Sequence, residues 1–298
     1  NQNLRKREMK NIILSVYAVC FFILSNGCSI KEAYLLRADI EGPASQIPLH
    51  TTKSLEKDKV SLSLRVSGTT LQHIDGNVSR RNKNIYTDSL YTGKNLGWDV
   101  SKFSMSLDAD FKLGKNFALF GGFDFSESSQ DVIIGGNIGL GFVGGDSLNA
   151  IRFDAGLKYQ TMRVEGHYYA EAEFLPFNLD FNYIALVDKE DGYFNPFFSL
   201  TYNSSHKDWF VNPFFQIGYV SQDLFNIEVG TESNLFLVND DITIKSTISI
   251  LSLTPGVNIA LGENQNLLIG VRYFHLMSVD DLENTSMFLP FAQIDFRF

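Results

Sequence analysis

At 298 residues, with a formal net charge of -9, 20% charged residues and a mean hydropathy of -0.04, the chain is too polar for a bundle of membrane helices, and its acidity disfavours nucleic acid as a partner. Its 26 Phe, 12 Tyr and 23 Gly against only 7 Pro suit strands with aromatic flanks and tight turns. Both cysteines, Cys20 and Cys28, fall near the start, leaving none to staple the body. A closed barrel is held by its backbone ladder and needs no disulfide.

Residues 1–8 precede Met9-Lys10 and are expected to lie ahead of the natural start, as non-native additions. A basic stretch then leads into an apolar run from Ile12 to Leu24, too short to cross ~30 Å of hydrocarbon and placed where a signal peptide has its apolar core. Residues 1–27 are therefore read as a signal peptide. The following Ser25-Asn26-Gly27-Cys28 resembles the lipobox of bacterial lipoproteins, which implies that Cys28 becomes a lipidated N-terminus. The match departs from that pattern at Ser25, where an apolar residue is expected, and at Asn26, which is not small. Ordinary cleavage nearby, with Cys28 lost or left as a free thiol, is the alternative.

Residues 28–58 carry no sustained period and are interrupted by Gly42-Pro43, Ser45 and Pro48. They are expected to form a periplasmic tether or a small plug, with a helical turn or two allowed over residues 31–40.

From residue 59 to 298 the period becomes two. Val60, Leu62, Leu64 and Val66 alternate with Ser61, Ser63, Arg65 and Ser67; residues 76–97 read as a large polar surface loop, and Trp98 as an interface aromatic at re-entry. Phe103 to Leu113 and Phe117 to Phe125 form a hairpin around Gly114-Lys115-Asn116. Val132 to Phe142 and Ile151 to Thr161 continue the alternation, the former with Gly135, Gly136, Gly139 and Gly141 between its apolar residues. A phase slip at Leu175-Pro176 suits a bulge or hidden turn, and a second slip falls near Leu251 within the long run from Ile242 to Leu261. Two Asn-Pro-Phe-Phe copies, at 195–198 and 212–215, fit strand starts, where Pro is tolerated.

The last eight residues, 291–298, set Ala292, Ile294, Phe296 and Phe298 against Gln293, Asp295 and Arg297. Lipid outside and a polar lumen inside give such alternation in a membrane-spanning barrel. The ending resembles the C-terminal signal of Gram-negative outer-membrane barrel proteins. That resemblance implies an all-β, closed antiparallel transmembrane barrel in the outer membrane, with Phe296 and Phe298 read by the barrel-assembly machinery and lipids as the surrounding partner. Counting segments gives about 12 strands, with 10 to 14 allowed by boundary error. The expected lumen-facing charges are Asp108, Asp110, Lys112, Arg152, Asp154, Lys158, Asp295 and Arg297.

Asp108 and Asp110 would stand roughly 7 Å apart on one face, a spacing compatible with acid–base work but equally produced by any strand with alternate Asp. The five histidines are scattered without ligand spacing, so no metal or cofactor is expected. No Gly-x-Ser-x-Gly elbow or phosphate-binding glycine loop occurs. The leading expectation is a non-enzymatic barrel, either a narrow pore passing small solutes or a structural protein. The alternatives are a lipid-tethered soluble barrel binding a small apolar ligand, since inverted faces alternate identically, and an outer-membrane protease or lipase.

Overall fold

A computed structural model of the chain describes residues 28–50, 60–70, 73–76, 96–114, 116–127, 132–145, 148–174, 179–204, 209–229, 238–240, 242–278 and 285–298. The signal-peptide reading of residues 1–27 falls outside them. The elements are β1 (Cys28–Gly42), β2 (Val60–Gly68), β3 (His73–Gly76), β4 (Leu96–Val100), β5 (Phe103–Lys112), β6 (Phe117–Glu127) and β7 (Val132–Gly145). They continue with β8 (Asn149–Phe174), β9 (Leu179–Ser204), β10 (Val211–Val229), β11 (Val238–Asp240), β12 (Ile242–Ala260), β13 (Gln265–Ser278) and β14 (Thr285–Arg297).

Ten strands close into a ring in the order β8-β7-β6-β5-β2-β14-β13-β12-β10-β9, with β9 pairing back to β8. The fold is thus a closed antiparallel transmembrane β-barrel, its strand number within the expected range. The seam joins the first and last strands of the ring, with Ser61 opposite Arg297 and Ser67 opposite Phe291.

Alternation builds the wall. Leu62, Leu64 and Val66 of β2, Met105, Leu107 and Phe111 of β5, Phe117, Leu119 and Phe123 of β6 and Ile134, Ile138 and Leu140 of β7 are exposed on the outside. Ser61, Ser63, Arg65, Asp108, Asp110, Gln293 and Asp295, the residues between such positions, are buried inside. A soluble barrel would place these faces the other way round; only a hydrocarbon solvent makes an apolar exterior around a charged interior stable. β2, β5 and β6 have 9, 10 and 11 residues, the length needed to cross a bilayer.

The described residues fall into two compact units. The larger comprises Arg37–Glu165, Asp188–Phe225 and Lys245–Phe298 and contains the ring. In it the end of β1 pairs in parallel with β4, from Ala38 opposite Leu96 to Gly42 opposite Val100, and β3 pairs β4 on the other side. The smaller unit comprises Asn1–Leu36, Gly166–Val187 and Asn226–Ile244. It has its own core, in which Leu35, Leu36, Tyr168, Ala170, Ile227 and Val229 are buried and Tyr34 stacks on Tyr169 with ring centroids 4.9 Å apart.

Several local expectations change. Residues 31–40 are extended rather than helical, because exposed Arg37 and Asp39 alternate with buried Ala38 and Ile40, a strand period. Trp98 is fully buried instead of marking a membrane interface, and its Nε1 donates to the Gly42 carbonyl at 3.1 Å. Of the two readings of the slip at Leu175-Pro176, a bulge or a hidden turn, the strand bounds favour the second, since β8 ends at Phe174 and β9 begins at Leu179. The slip near Leu251 is no bulge, since β12 and β13 keep one register from Ile248 opposite Ser278 to Ala260 opposite Asn266. What changes there is the chemistry of the inward face, from Ile248 and Ile250 to Ser252, Thr254 and Asn258. The first Asn-Pro-Phe-Phe copy lies inside β9, not at its start. Pro196 cannot donate to the ladder, whose regular pairing with β10 stops at Phe197 opposite Val220, and the Asn195 side chain takes the displaced Asp223 amide at 2.9 Å.

Candidate functional site in the barrel lumen

An eight-stranded barrel is just filled by its own side chains, so ten strands leave room for something more. Here that room is taken by residues 43–50, an extended segment with no strand partner, in which Ala44 through His50 are buried. A backbone isolated from both water and a ladder must find other hydrogen bonds. The wall supplies them. The Pro43 carbonyl accepts from Gln160 Nε2 at 3.1 Å and Gln222 Nε2 at 3.0 Å, and the Ser45 amide donates to Gln222 Oε1 at 2.8 Å. The Gln46 carbonyl accepts from Lys158 Nζ at 2.8 Å, Ile47 from Arg65 Nη1 at 3.1 Å, Pro48 from Gln216 Nε2 at 3.0 Å and Leu49 from Gln293 Nε2 at 2.9 Å.

Side chains add to this. Ser45 Oγ donates to Gln160, Gln46 bonds Ser104 Oγ at 2.6 Å and Ser67 Oγ at 3.0 Å, and the His50 ring lies 4.7 Å from that of Phe120. Leu49 packs with Phe214, Leu268 and Phe291 in a buried apolar cluster. Ile47 fills the space that Gly218 leaves, where a Cβ would overlap its Cδ1.

Beneath the segment the charges interlock. Arg152 donates from Nη1 to Asp110 Oδ2 and from Nε to Asp154 Oδ1, both at 2.6 Å, and stands 5.8 Å over the Phe120 ring. Lys158 also pairs with Asp124 at 3.0 Å, and Asp108 accepts from Asn137 Nδ2 at 2.8 Å. Asp295 accepts from Gln293 at 2.8 Å. Five cations (Arg65, Arg152, Lys158, Arg272, Arg297) thus face five carboxylates (Asp108, Asp110, Asp124, Asp154, Asp295), all of them buried or nearly so. The interior is balanced and offers no net field to draw in ions of one sign.

Of the charges expected in the lumen, Asp108, Asp110, Arg152, Asp154, Lys158, Asp295 and Arg297 are buried on the inward face, and Lys112 is half-buried at the end of β5. Arg152 brings Asp110 and Asp154 together, whereas Asp108 and Asp110 share no partner. Sequence reasoning put Gln293 on the polar face and allowed a small plug within residues 28–58, but it gave glutamines 160, 216, 222 and 293 no role in holding residues 43–50. The available signal was an uncharged octapeptide lying between charged stretches.

Among the described residues of this lumen no nucleophile is hydrogen-bonded to a histidine. On the outer surface His275 Nδ1 lies 3.2 Å from Ser286 Oγ, but no carboxylate among the described residues hydrogen-bonds that imidazole. His73 has Asp99 at 2.7 Å on one ring nitrogen and Asp75 at 3.2 Å on the other, an arrangement that holds a proton instead of abstracting one. No cluster of three metal-ligating side chains occurs among the described residues.

No family model and no curated protein sequence matches the chain. Among solved structures it is similar to the Escherichia coli outer membrane protease OmpT, at 9% identity and TM-score 0.43, over 82% of this chain and 98% of that one. It is also similar to the beta domain of the Bordetella autotransporter BrkA (9% identity, TM-score 0.39, 81% and 100% covered) and to the Neisseria meningitidis NalP translocator domain (10%, 0.35, 83% and 92%).

Proposed function

We propose that this chain is a non-enzymatic barrel of the Gram-negative outer membrane that is closed by its own residues 43–50 and serves a structural role, not that of a solute pore. One observation carries the reading: the carbonyls of Pro43, Gln46, Ile47, Pro48 and Leu49 are each taken by a donor from the wall. A segment that merely lay in an open channel would leave those carbonyls to water. The charge pairs below it close the remaining cross-section. Lipid contacts the exposed apolar wall, and the assembly machinery reads Phe296 and Phe298.

The test joins fractionation to electrophysiology. The protein belongs in the outer-membrane fraction, migrating compactly on a gel until boiled, and purified protein in planar bilayers is silent. Replacing Gln160, Gln216, Gln222 and Gln293 together by Ala removes the donors that hold those carbonyls and creates stepwise currents. A stable open-channel current from the unaltered protein overturns the closed-barrel reading, and recovery in the soluble periplasm without a heat-dependent mobility shift overturns the barrel reading altogether.

A further inference from the structure

The segment in the lumen has a direction. Its partners on the wall move along as the chain advances: hydrogen bonds from Gln222 and Gln160 for Pro43, with Ser67 and Ser104 for Gln46, from Arg65 for Ile47 and from Gln216 for Pro48, then the Phe120 ring against His50. Phe120 is paired with Asp110, and Asp110 with Ser61, so His50 reaches the level at which β2 begins. Gly42, at the other end, accepts from Ser101 N at 3.3 Å, just before β5 starts its return. The chain therefore enters the barrel at one end, traverses it, and turns back as β2.

The two ends differ. Where His50 arrives, ring strands are joined by short connections at 113–116, 146–148, 205–210 and 261–264, and the last strand ends there, with Phe298 N donating to the Val60 carbonyl at 3.0 Å. Where Gly42 enters, the connection from β2 to β5 runs from 69 to 102 and carries β3 and β4 and that from β10 to β12 runs from 230 to 241, beside shorter ones at 128–131, 175–178 and 279–284. Short turns face the periplasm and long ones the exterior in outer-membrane barrels.

We infer that the barrel displays the entry to its own threaded segment: residues 37–42 of β1, with Arg37 and Asp39, are held on the external side of the membrane. The inference rests on the outer-membrane reading above and adds a function to it, since a filled barrel of this topology presents those residues at the cell surface.

Side-specific labelling tests it in intact cells. Arg37 and Asp39 form an exposed ion pair at 3.0 Å, of a kind that contributes little to stability, so either accepts a cysteine. Glu263, exposed in a short turn at the opposite end, is the reference. With a membrane-impermeant biotin maleimide, Arg37→Cys is labelled in intact cells to the extent seen after lysis, and Glu263→Cys is labelled only after lysis. The unsubstituted chain gives the blank and reports Cys28. Retention of the heat-dependent gel shift shows that each variant folded, and Asp39→Cys replaces Arg37→Cys where the shift is lost. Compact barrels whose Arg37→Cys is labelled only after lysis overturn the display inference while leaving the outer-membrane reading intact. Labelling of Glu263→Cys in intact cells overturns the assigned orientation. Absence of any heat-dependent shift in the unsubstituted chain removes the barrel reading itself.

Discussion

Arg152→Met removes the only cation that touches Asp110 and Asp154 among the described hydrogen bonds, and all three side chains are at most 2% exposed. Deleting one partner of a buried ion pair leaves uncompensated charge and costs about 3–5 kcal/mol, because the remaining carboxylates keep their desolvation penalty without its return. The contact over Phe120 contributes about 0.5–1 kcal/mol more. Against a total stability of about 5–15 kcal/mol, that is a large share. The assay is urea unfolding of the barrel in detergent or lipid, read by the heat-modifiable gel band; with a slope of about 2 kcal/mol per molar, the midpoint falls by about 2–3 M. The triple variant Arg152→Met, Asp110→Asn, Asp154→Asn removes both the attraction and the penalty and returns to within about 1 kcal/mol of the parent or above it. A single variant that loses less than about 1 kcal/mol would refute the reasoning, since this is the value of an exposed pair and would mean that water reaches these groups.

Gly139→Leu forces a side chain into the ring of Phe120 and the Ala155 carbonyl and is expected to cost about 1–3 kcal/mol in the same assay, whereas Gly144→Ala, whose nearest neighbour is Phe142 at 4.0 Å, stays within about 0.5 kcal/mol. The hydrogen bond that His73 donates to Asp99, aided by Asp75, outweighs partial burial and raises the His73 pKa above its ordinary 6.5. Because the folded value is the higher one, the stabilisation is complete below about pH 6.5 and fades as pH rises through the raised value; amide exchange in β3 should speed up over that window and His73→Gln should abolish the dependence. An NMR titration placing His73 at or below 6.5 contradicts this. Phe298→Ala leaves the urea midpoint of assembled protein unchanged, since that side chain is 69% exposed, but lowers the yield of heat-modifiable barrel in cells; equal yields would exclude an assembly role.

The wall was legible because lipid and lumen impose opposite chemistry on alternate residues, and Asp108, Asp110, Arg152 and Asp154 announced the inward face by charge alone. Period two says which face a residue takes, but not what stands across from it. Residues 43–50 have no period, because their hydrogen bonds go to side chains on β2, β8, β10 and β14, more than a hundred residues away for Gln160, Gln216, Gln222 and Gln293. β3 and β4 were lost in a polar stretch, being only 4 and 5 residues long. Near Leu251, a change from apolar to polar lumen chemistry along an unbroken register imitated a slip.

The threaded segment also constrains how the barrel can form. A finished ring of ten strands has no gap through which the arm could pass sideways, and threading it lengthwise would drag Arg37, Asp39 and Glu41 past five buried cations and five buried carboxylates, breaking each pair in turn. The less costly order seats residues 43–50 against β8, β10 and their glutamines while the seam is still open. β2 then follows directly from the arm, and its pairing with β14, Ser61 to Arg297 and Ser67 to Phe291, closes the ring around the segment. The last contacts made in this order are those to Arg65 and Gln293, residues opposite each other across the seam that hold the carbonyls of Ile47 and Leu49, on either side of Pro48. In this order the arm is in place before the seam completes, and the compact barrel carries its arm inside.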